Sequence, residues 1–557
     1  MLAENDDAYE QELEAIFQAT QLDDLRVAVD FIKALKAASL DDKYNNMDPK
    51  WLHRLRNPPN ESFNIENYPD LRLALDTFLV SMKSSVNTYV TMREAILRRH
   101  PEDQIPSYNQ IKRAITEITG VASVAHPMCK NSCLAFTGPF SDLDKCPRCQ
   151  EPKLCPVTKK PTQEFHTILL GPILQALWRE PSSAQKFEYR RKITQLIIAE
   201  LQANNGNISS YDDFFYGSDY LECVKQGKIG TDDIVLMLSI DGAQLYSHKA
   251  SDCWIYIWVI MDLSPDERYK KTHVLPGGFI PGPNKPKNID SFLFPGLHHL
   301  CGLQREGLPI WDASSDRLFL SKLFLGLNTA DGPGMAYLNG LVGHHGKHGC
   351  RLYCTVPGRH KPNGPHYYPA LLKPDNYVMQ GCDHGDLSHF EFTSTSTSVS
   401  SNWYLQNLQY LISSPNETQY KKRRLETGIT KPTIFLGLPI NGILGIPGCF
   451  GSDVMHLASF NLADLLVNLW RGQLDSERTD PVSTWPWAVL RGDLWEQHGK
   501  AVMEATPVRG TSCGTPYAVC VPRFLSILIA IAISHFLPST YQLIFDLPIV
   551  LLLDILL

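Results

Sequence analysis

The chain has 557 residues, enough for three or four domains of ordinary size, and its 43% apolar and 20% charged content is globular, so a chain without a core is excluded. A formal net charge of −7 excludes a general basic field as the basis of nucleic-acid binding. Residues 1–30 hold nine acids against one base, Arg26, which is the opposite of a signal or transit peptide. The protein therefore reads as intracellular, and its fourteen cysteines suggest metal before disulfides.

Residues 1–115 read as a helical N-terminal region. Leu25, Val27, Val29, Phe31, Ile32 and Leu35 recur at mixed three- and four-residue spacing, and 70–99 repeats the pattern beyond a loop at Asn57-Pro-Pro-Asn60. Residues 116–165 read as a small zinc-binding module. Cys129 and Cys133 form one close pair and Cys146 and Cys149 another, a dozen residues apart, with Gly138, Pro139 and Pro147 suited to tight turns. Two such pairs fit a closed tetrahedral site of structural type, with His126 in reserve; buried free cysteines are the alternative. Residues 166–230 are a helical linker region, helical over 166–203 and linker-like over 206–230. Its cluster Arg190, Arg191 and Lys192 is a candidate DNA contact, as is Lys421 to Arg424; a solvated face is the other reading of either.

The segment 234–331 reads as one sheet with strands at 234–241, 254–263, 273–280 and 323–331. A helix over 288–306 contains Pro295, and another is expected over 335–342. Asp241 and Asp331 close the first and fourth strands, each followed by glycine. Alone, Asp-Gly after a strand is an ordinary turn. Two carboxylates delivered to the ends of two strands also suit a two-metal phosphoryl-transfer centre. With acids in those places, the order β-β-β-α-β-α is that of an RNase H-like fold: an α/β mixed sheet with flanking helices.

Beyond the fourth strand, Cys350 and Cys354 lie among His344, His345, His348 and His360, which reads as a second metal knuckle or as a His-rich surface turn. Asp453 and His456 begin an amphipathic run and would be neighbours on one helical face, or simply an N-cap and a satisfied histidine.

Taken together, HPMCKNSCLAF with KCPRC, DDIVLMLSIDGAQLY, LNTADGPGMAYLNGLVGHHGKHGCRLYC and SDVMH with NLW resemble the transposases of CACTA-type (En/Spm) DNA elements, in particular their fungal branch. The resemblance runs from about residue 110 to 507. It implies a DDE-type transposase with its RNase H-like core over 231–475 and the start of a helical insertion over 476–507. Asp241 and Asp331 match the first two catalytic acids and would hold Mg2+ or Mn2+. Cys350 and Cys354 match the family's cysteine pair, and Asp453 with His456 its Asp-x-x-His signature. The implied partners are DNA at the transposon ends and further copies of the protein, without a small-molecule substrate, in the nucleus. A third acid, a Glu, is expected on a helix past the signature, where Glu496 and Glu504 stand without matching it. From 508 to 557 the resemblance stops, and after Arg523 there is no Lys, Arg or Glu. The expectation is a transposase truncated or decayed at its C-terminal end and inactive as written, or else a non-catalytic zinc-dependent DNA-binding protein derived from one. A membrane anchor in the tail is the third reading, and its fourteen-residue apolar run, 524–537, is short of the roughly 20 residues a spanning helix needs.

Overall fold

A computed structural model describes residues 2–505 apart from 82–83, 245–251, 283, 351–352, 355, 362–363, 369, 389–400, 452–461 and 475–480. The described residues fall into two units. One takes 2–209 and 213–451, and the other takes 210–212 with the described residues after 451.

Six helices open the first unit: α1 (Leu2–Gln18), α2 (Asp23–Lys36), α3 (Pro49–Arg56), α4 (Pro69–Ser81), α5 (Val86–Arg99) and α6 (Tyr108–Thr119). In α2 the apolar stripe Leu25, Ala28, Val29, Phe31, Ile32 and Leu35 is buried. Asp23 and Asp24 sit in its first turn and Lys33 and Lys36 in its last, the charge order that complements the helix dipole. Helices α4, α5 and α6 close over a small core of their own around Ala74, Tyr89, Ile105 and Ile111.

The central sheet has six strands in the order β1-β2-β5-β4-β3-β8. They are β1 (Ser123–Met128), β2 (Gln163–Ile168), β3 (Ile234–Gln244), β4 (Asp252–Ile260), β5 (Leu275–Ile280) and β8 (Leu323–Ala330). Neighbours are antiparallel except β3 and β8, which are parallel. The apolar runs of β3, β4 and β8 are long because both faces of these strands are covered, which suits β-branched and aromatic residues. Between β2 and β3 come α7 (Leu170–Trp178), α8 (Pro181–Lys186), α9 (Glu188–Ala203) and α10 (Ser218–Lys225), and α11 (Pro265–Arg268) follows β4.

One helix organises the interior. α12 (Ile289–Glu306) is buried on every side from Ile289 to Gln304, and its few polar residues are partnered inside, His298 with Asp42 and Asp290 with Lys431. It packs on β2, β5 and β8 and on α2 and α7, which draws the N-terminal helices into the same core as the sheet. Tyr256 of β4 explains two adjacent glycines of β5. A Cβ on Gly278 would lie 2.3 Å from the Tyr256 ring, so only a bare backbone lets that ring settle over the strand.

Several elements differ from expectation. Residues 163–168, split between the expected knuckle module and the start of the 166–203 helix, form β2. Together with β1 it extends the same sheet, and the cysteine-rich segment lies between these two strands. A hairpin of β6 (Leu308–Asp312) and β7 (Arg317–Ser321) precedes β8, closed by a turn in which Asp316 has φ +50°. The helix after β8 is α13 (Gly332–Asn339), starting three residues earlier than the periodicity suggests because Asp331 caps it and Pro333 favours its first turn.

In the second unit, helices Ala463–Arg471 and Asp493–Ala505 meet around Trp470 and Leu490, with Leu466, Val489 and Trp495 against them. Among the described residues no helix is long and apolar enough to cross a membrane.

Candidate functional site

β3 and β8 run side by side with Ile240 opposite Ala330. Asp241 and Asp331 are the next residue on each chain. They therefore stand at one level on neighbouring backbones about 4.8 Å apart; Asp331 directly follows β8, whereas β3 runs on to Gln244, so Asp241 lies within its strand and does not close it as the sequence suggests. Asp331 caps α13, its Oδ1 accepting from the Gly334 amide at 2.6 Å. Asp241 stays in β3 opposite Ile255, and its Oδ1 accepts from the Gly242 amide at 2.7 Å. Trp254 lies against Gly242 and meets Tyr337 of α13 edge-on, ring centroids 6.0 Å apart. The end of β3 and the helix that Asp331 starts are thus braced by one aromatic pair. Asp241 is exposed and Asp331 half-buried. Two carboxylates in this placement are hard oxygen donors of the kind that Mg2+ or Mn2+ takes.

On the far side of β8 runs the segment 443–451. Ile443 is opposite Leu325, Phe450 is opposite Asn328, and the Gly451 amide donates to the Asn328 carbonyl at 3.0 Å. Asp453 and His456 come two and five residues after Gly451 in sequence and lie outside the described residues. Among the described residues no third acid, cysteine or histidine joins Asp241 and Asp331. Glu496 is exposed on the Asp493–Ala505 helix of the second unit, and the Glu504 side chain lies outside the described residues.

Cys129, Cys133, Cys146 and Cys149 do converge: their sulfurs all lie within 4.8 Å of one another, and Cys129 Sγ is 3.4 Å from Cys149 Sγ. Two tight turns bring them there. The Ser132 amide donates to the Cys129 carbonyl with Ser132 at φ +55°, and the Gln150 amide donates to the Cys146 carbonyl with Gln150 at φ +62°. Cys129, Cys133 and Cys146 are fully buried. Burial pushes the Cys133 thiol up to about 12 and raises Cys129. At Cys149 burial is opposed and outweighed by the Glu151 amide, the Asn131 side chain and neighbouring thiols, which bring it down to about 6. Four sulfurs this close fit the tetrahedral shell of Zn2+. His126 is not among them; its Nε2 is 2.8 Å from Thr167 Oγ1, and burial lowers it to about 4, a neutral core histidine.

Cys155 also stays outside the cluster, and the reason is legible in sequence. CPRCQEP at 146–152 recurs as CPVTKKP at 155–161, with Thr158 in place of the second cysteine. The turn is repeated as well: the Lys159 amide donates to the Cys155 carbonyl, and Lys159 has φ +57°. Cys350 and Cys354 reproduce the first knuckle, with the Tyr353 amide donating to the Cys350 carbonyl and Tyr353 at φ +55°. Cys350 raises the neighbouring Cys354 thiol, as does burial. Among the described residues no third ligand joins this pair.

The basic cluster on α9 needs correction. Arg190 is 3% exposed and faces inward. Its Nε donates to Asp262 at 2.6 Å, and its guanidinium reaches the carbonyls of Gly230, Thr231 and Asp233. Asp262 in turn accepts from the Val235 amide at 2.7 Å, so Arg190 ties α9 to the start of β3 and the end of β4. Its guanidinium is occupied inside the fold. Arg191 lies 4.0 Å from Asp232, and Lys192 pairs with Glu188. Arg190→Ala should destabilise the protein by roughly 3–5 kcal/mol, because it strands Asp262 in the core. Arg190→Met with Asp262→Leu should cost much less. Urea unfolding of the two variants checks this, and a single variant as stable as the parent would refute the structural role. In the second cluster, Arg423 is held by the Tyr410 carbonyl and Ser413, and Lys422 by Glu426. Lys421 and Arg424, three residues apart on the helix Glu417–Thr427, face a groove that also holds Lys347, a residue the sequence reading passed over inside GHHGKHG.

No curated protein matches the chain. Residues 225–361, about a quarter of the chain and spanning β3 to β8, Asp241, Asp331, Cys350 and Cys354, match the family model described as Transposase family tnp2, so the segment that carries the paired aspartates is similar to a transposase.

Proposed function

We propose that the chain is a transposase-derived protein of a CACTA-type (En/Spm) element of the fungal branch, built on an RNase H-like core for DDE-type DNA strand cleavage and transfer. One observation carries the reading: Asp241, within β3, and Asp331, directly after β8, each follow a residue of the same pair, Ile240 opposite Ala330, on adjacent parallel strands inside the segment that matches the tnp2 model. These two residues would hold Mg2+ or Mn2+, and the bound ions would activate water against a phosphodiester and stabilise the departing 3′-oxygen. The chain's own part is placement. The Gly334 and Gly242 amides each hold one oxygen of a carboxylate, and the Trp254–Tyr337 contact braces the elements that carry them. The four-cysteine knuckle would hold Zn2+ and keep β1 and β2 in the sheet. The protein would act on transposon ends in the nucleus, in association with further copies of itself.

A second reading is a non-catalytic, zinc-dependent DNA-binding protein. It is favoured by the absence of a third carboxylate beside the pair among the described residues. Titration of the purified full chain with Mn2+, followed by the electron paramagnetic resonance of the free ion, tests the acid pair without requiring turnover. The double variant Asp241→Asn/Asp331→Asn should bind Mn2+ about tenfold more weakly or worse, ~1.4 kcal/mol or more. Equal affinity would remove the metal site from the proposal.

A further inference from the structure

Lys347, Lys421 and Arg424 line a groove of about 650 Å3 whose wall includes Gly332 and Pro333, the two residues directly after Asp331. No aspartate or glutamate lines this groove, although the chain as a whole has a net charge of −7. The three cations form no ion pair among the described residues, whereas Lys422 on the same helix is matched with Glu426. Lys421 and Arg424 are exposed, and Lys347 is half-buried.

Local packing fixes the groove's two sides. Gly340, which ends α13 at φ +68°, sits where a Cβ would come 2.3 Å from the Lys431 carbonyl oxygen. On the other side, the helix of Lys421 and Arg424 ends against His348, one residue from Lys347. Unpaired cations held in place without a neutralising acid make a site for an extended polyanion.

We infer that this groove binds the phosphodiester backbone of DNA duplex and carries it to the acid pair. Phosphate contacts of this kind fix position and carry no sequence information. The inference rests on the reading of Asp241 and Asp331 as a DNA-cleavage site, but it is tested apart from that reading, by binding alone.

The experiment measures fluorescence anisotropy of a labelled 30-base-pair DNA duplex of arbitrary sequence, with the full chain, over a range of NaCl and without added Mg2+ or Mn2+. Neutralising Lys347→Gln/Lys421→Gln/Arg424→Gln should lower the slope of log affinity against log salt by about 3, near one per lost phosphate contact. Lys421→Gln alone, at an exposed position, should lower it by about 1 and guards against misfolding of the triple variant. A charge-matched control, Lys112→Gln/Lys225→Gln/Lys271→Gln, should leave the slope within about 1 of the parent. Equal losses in groove and control variants would show bulk charge alone and overturn the inference. So would an unchanged slope, a parent chain that does not bind the duplex, or tighter binding of an RNA duplex of the same length. Loss of the slope together with an acid pair that fails to bind Mn2+ would keep the groove and remove the cleavage site.

Discussion

Cys129→Ser with Cys146→Ser should abolish zinc binding and destabilise the first unit by about 5 kcal/mol or more, a fraction of the roughly 10–16 kcal/mol that structural zinc contributes in small domains. The size follows from where the knuckle lies. β1 leads into Cys129, and the cysteine-rich segment returns to the sheet through β2, so both strands depend on the turns that the metal would join. The knuckle also reaches into the main core. Phe140 meets Phe31 of α2 at a centroid distance of 5.1 Å, and Phe31 meets Phe294 of α12 at 5.6 Å. The Ala135 amide donates to Ser291 Oγ of the same helix at 2.9 Å. Without a cation the cluster is poorly prepared, because burial keeps the Cys133 and Cys129 thiols protonated at neutral pH while Cys149 at about 6 supplies the thiolate. Metal binding must displace those protons, so zinc affinity should rise with pH and fall away as Cys149 protonates below about 6. Metal analysis of the purified full chain should find one zinc per molecule in the parent and none in the double variant. Urea unfolding with and without chelator should show the same loss as the substitution. A variant that keeps its zinc, or a chelated chain as stable as the untreated one, would refute the site. The full chain is the right object for these measurements, since β2 pairs with β5 at His166 and Thr167 and the knuckle is no independent module.

The same interlocking explains which parts of the molecule were legible in sequence. Apolar runs such as IVLMLSI and WIYIWVI announce inner strands because both faces are buried, and a carboxylate at the end of such a run stands out against it. The four cysteines declared themselves by spacing, since tight turns force close pairs. β1 and β2 were invisible because SVAHPM and QEFHTI are short and carry polar residues at the sheet's edge, where pairing replaces apolar pattern. The docking of α2 on α12 is also absent from any local window, since two amphipathic helices do not state their partner. The burial of Arg190 is hidden from the sequence for a related reason. A basic triplet on a helix looks the same whether its guanidinium meets a phosphate or, as here, Asp262 in the core. Lys347 escaped because a single lysine between glycines and histidines gives no pattern until the fold brings Lys421 and Arg424 beside it.

Strand cleavage by the purified chain, with Mg2+ or Mn2+ and DNA carrying the element's ends, should be indistinguishable from that of Asp241→Ala. The third carboxylate decides the outcome. Two-metal chemistry needs both ions fixed between the attacking and departing oxygens, and a third acid normally helps to hold one of them. Among the described residues nothing joins Asp241 and Asp331 in that role. Two carboxylates can hold a divalent ion loosely without setting its position for an in-line displacement. Losing that placement costs a thousandfold or more in rate, roughly 4 kcal/mol of transition-state stabilisation. Ion binding and DNA binding should therefore survive where cleavage does not, which separates this prediction from the Mn2+ titration and the anisotropy measurement. The opposite result is equally informative. Cleavage present in the parent and lost in both Asp241→Ala and Asp331→Ala would mean that the chain supplies its own third ligand. Asp453 would be the first residue to test. The resemblance assigns it to the Asp-x-x-His signature with His456. Asp453→Asn should then abolish cleavage as completely as Asp241→Ala, and a fully active Asp453→Asn would send the search to Glu496 and Glu504.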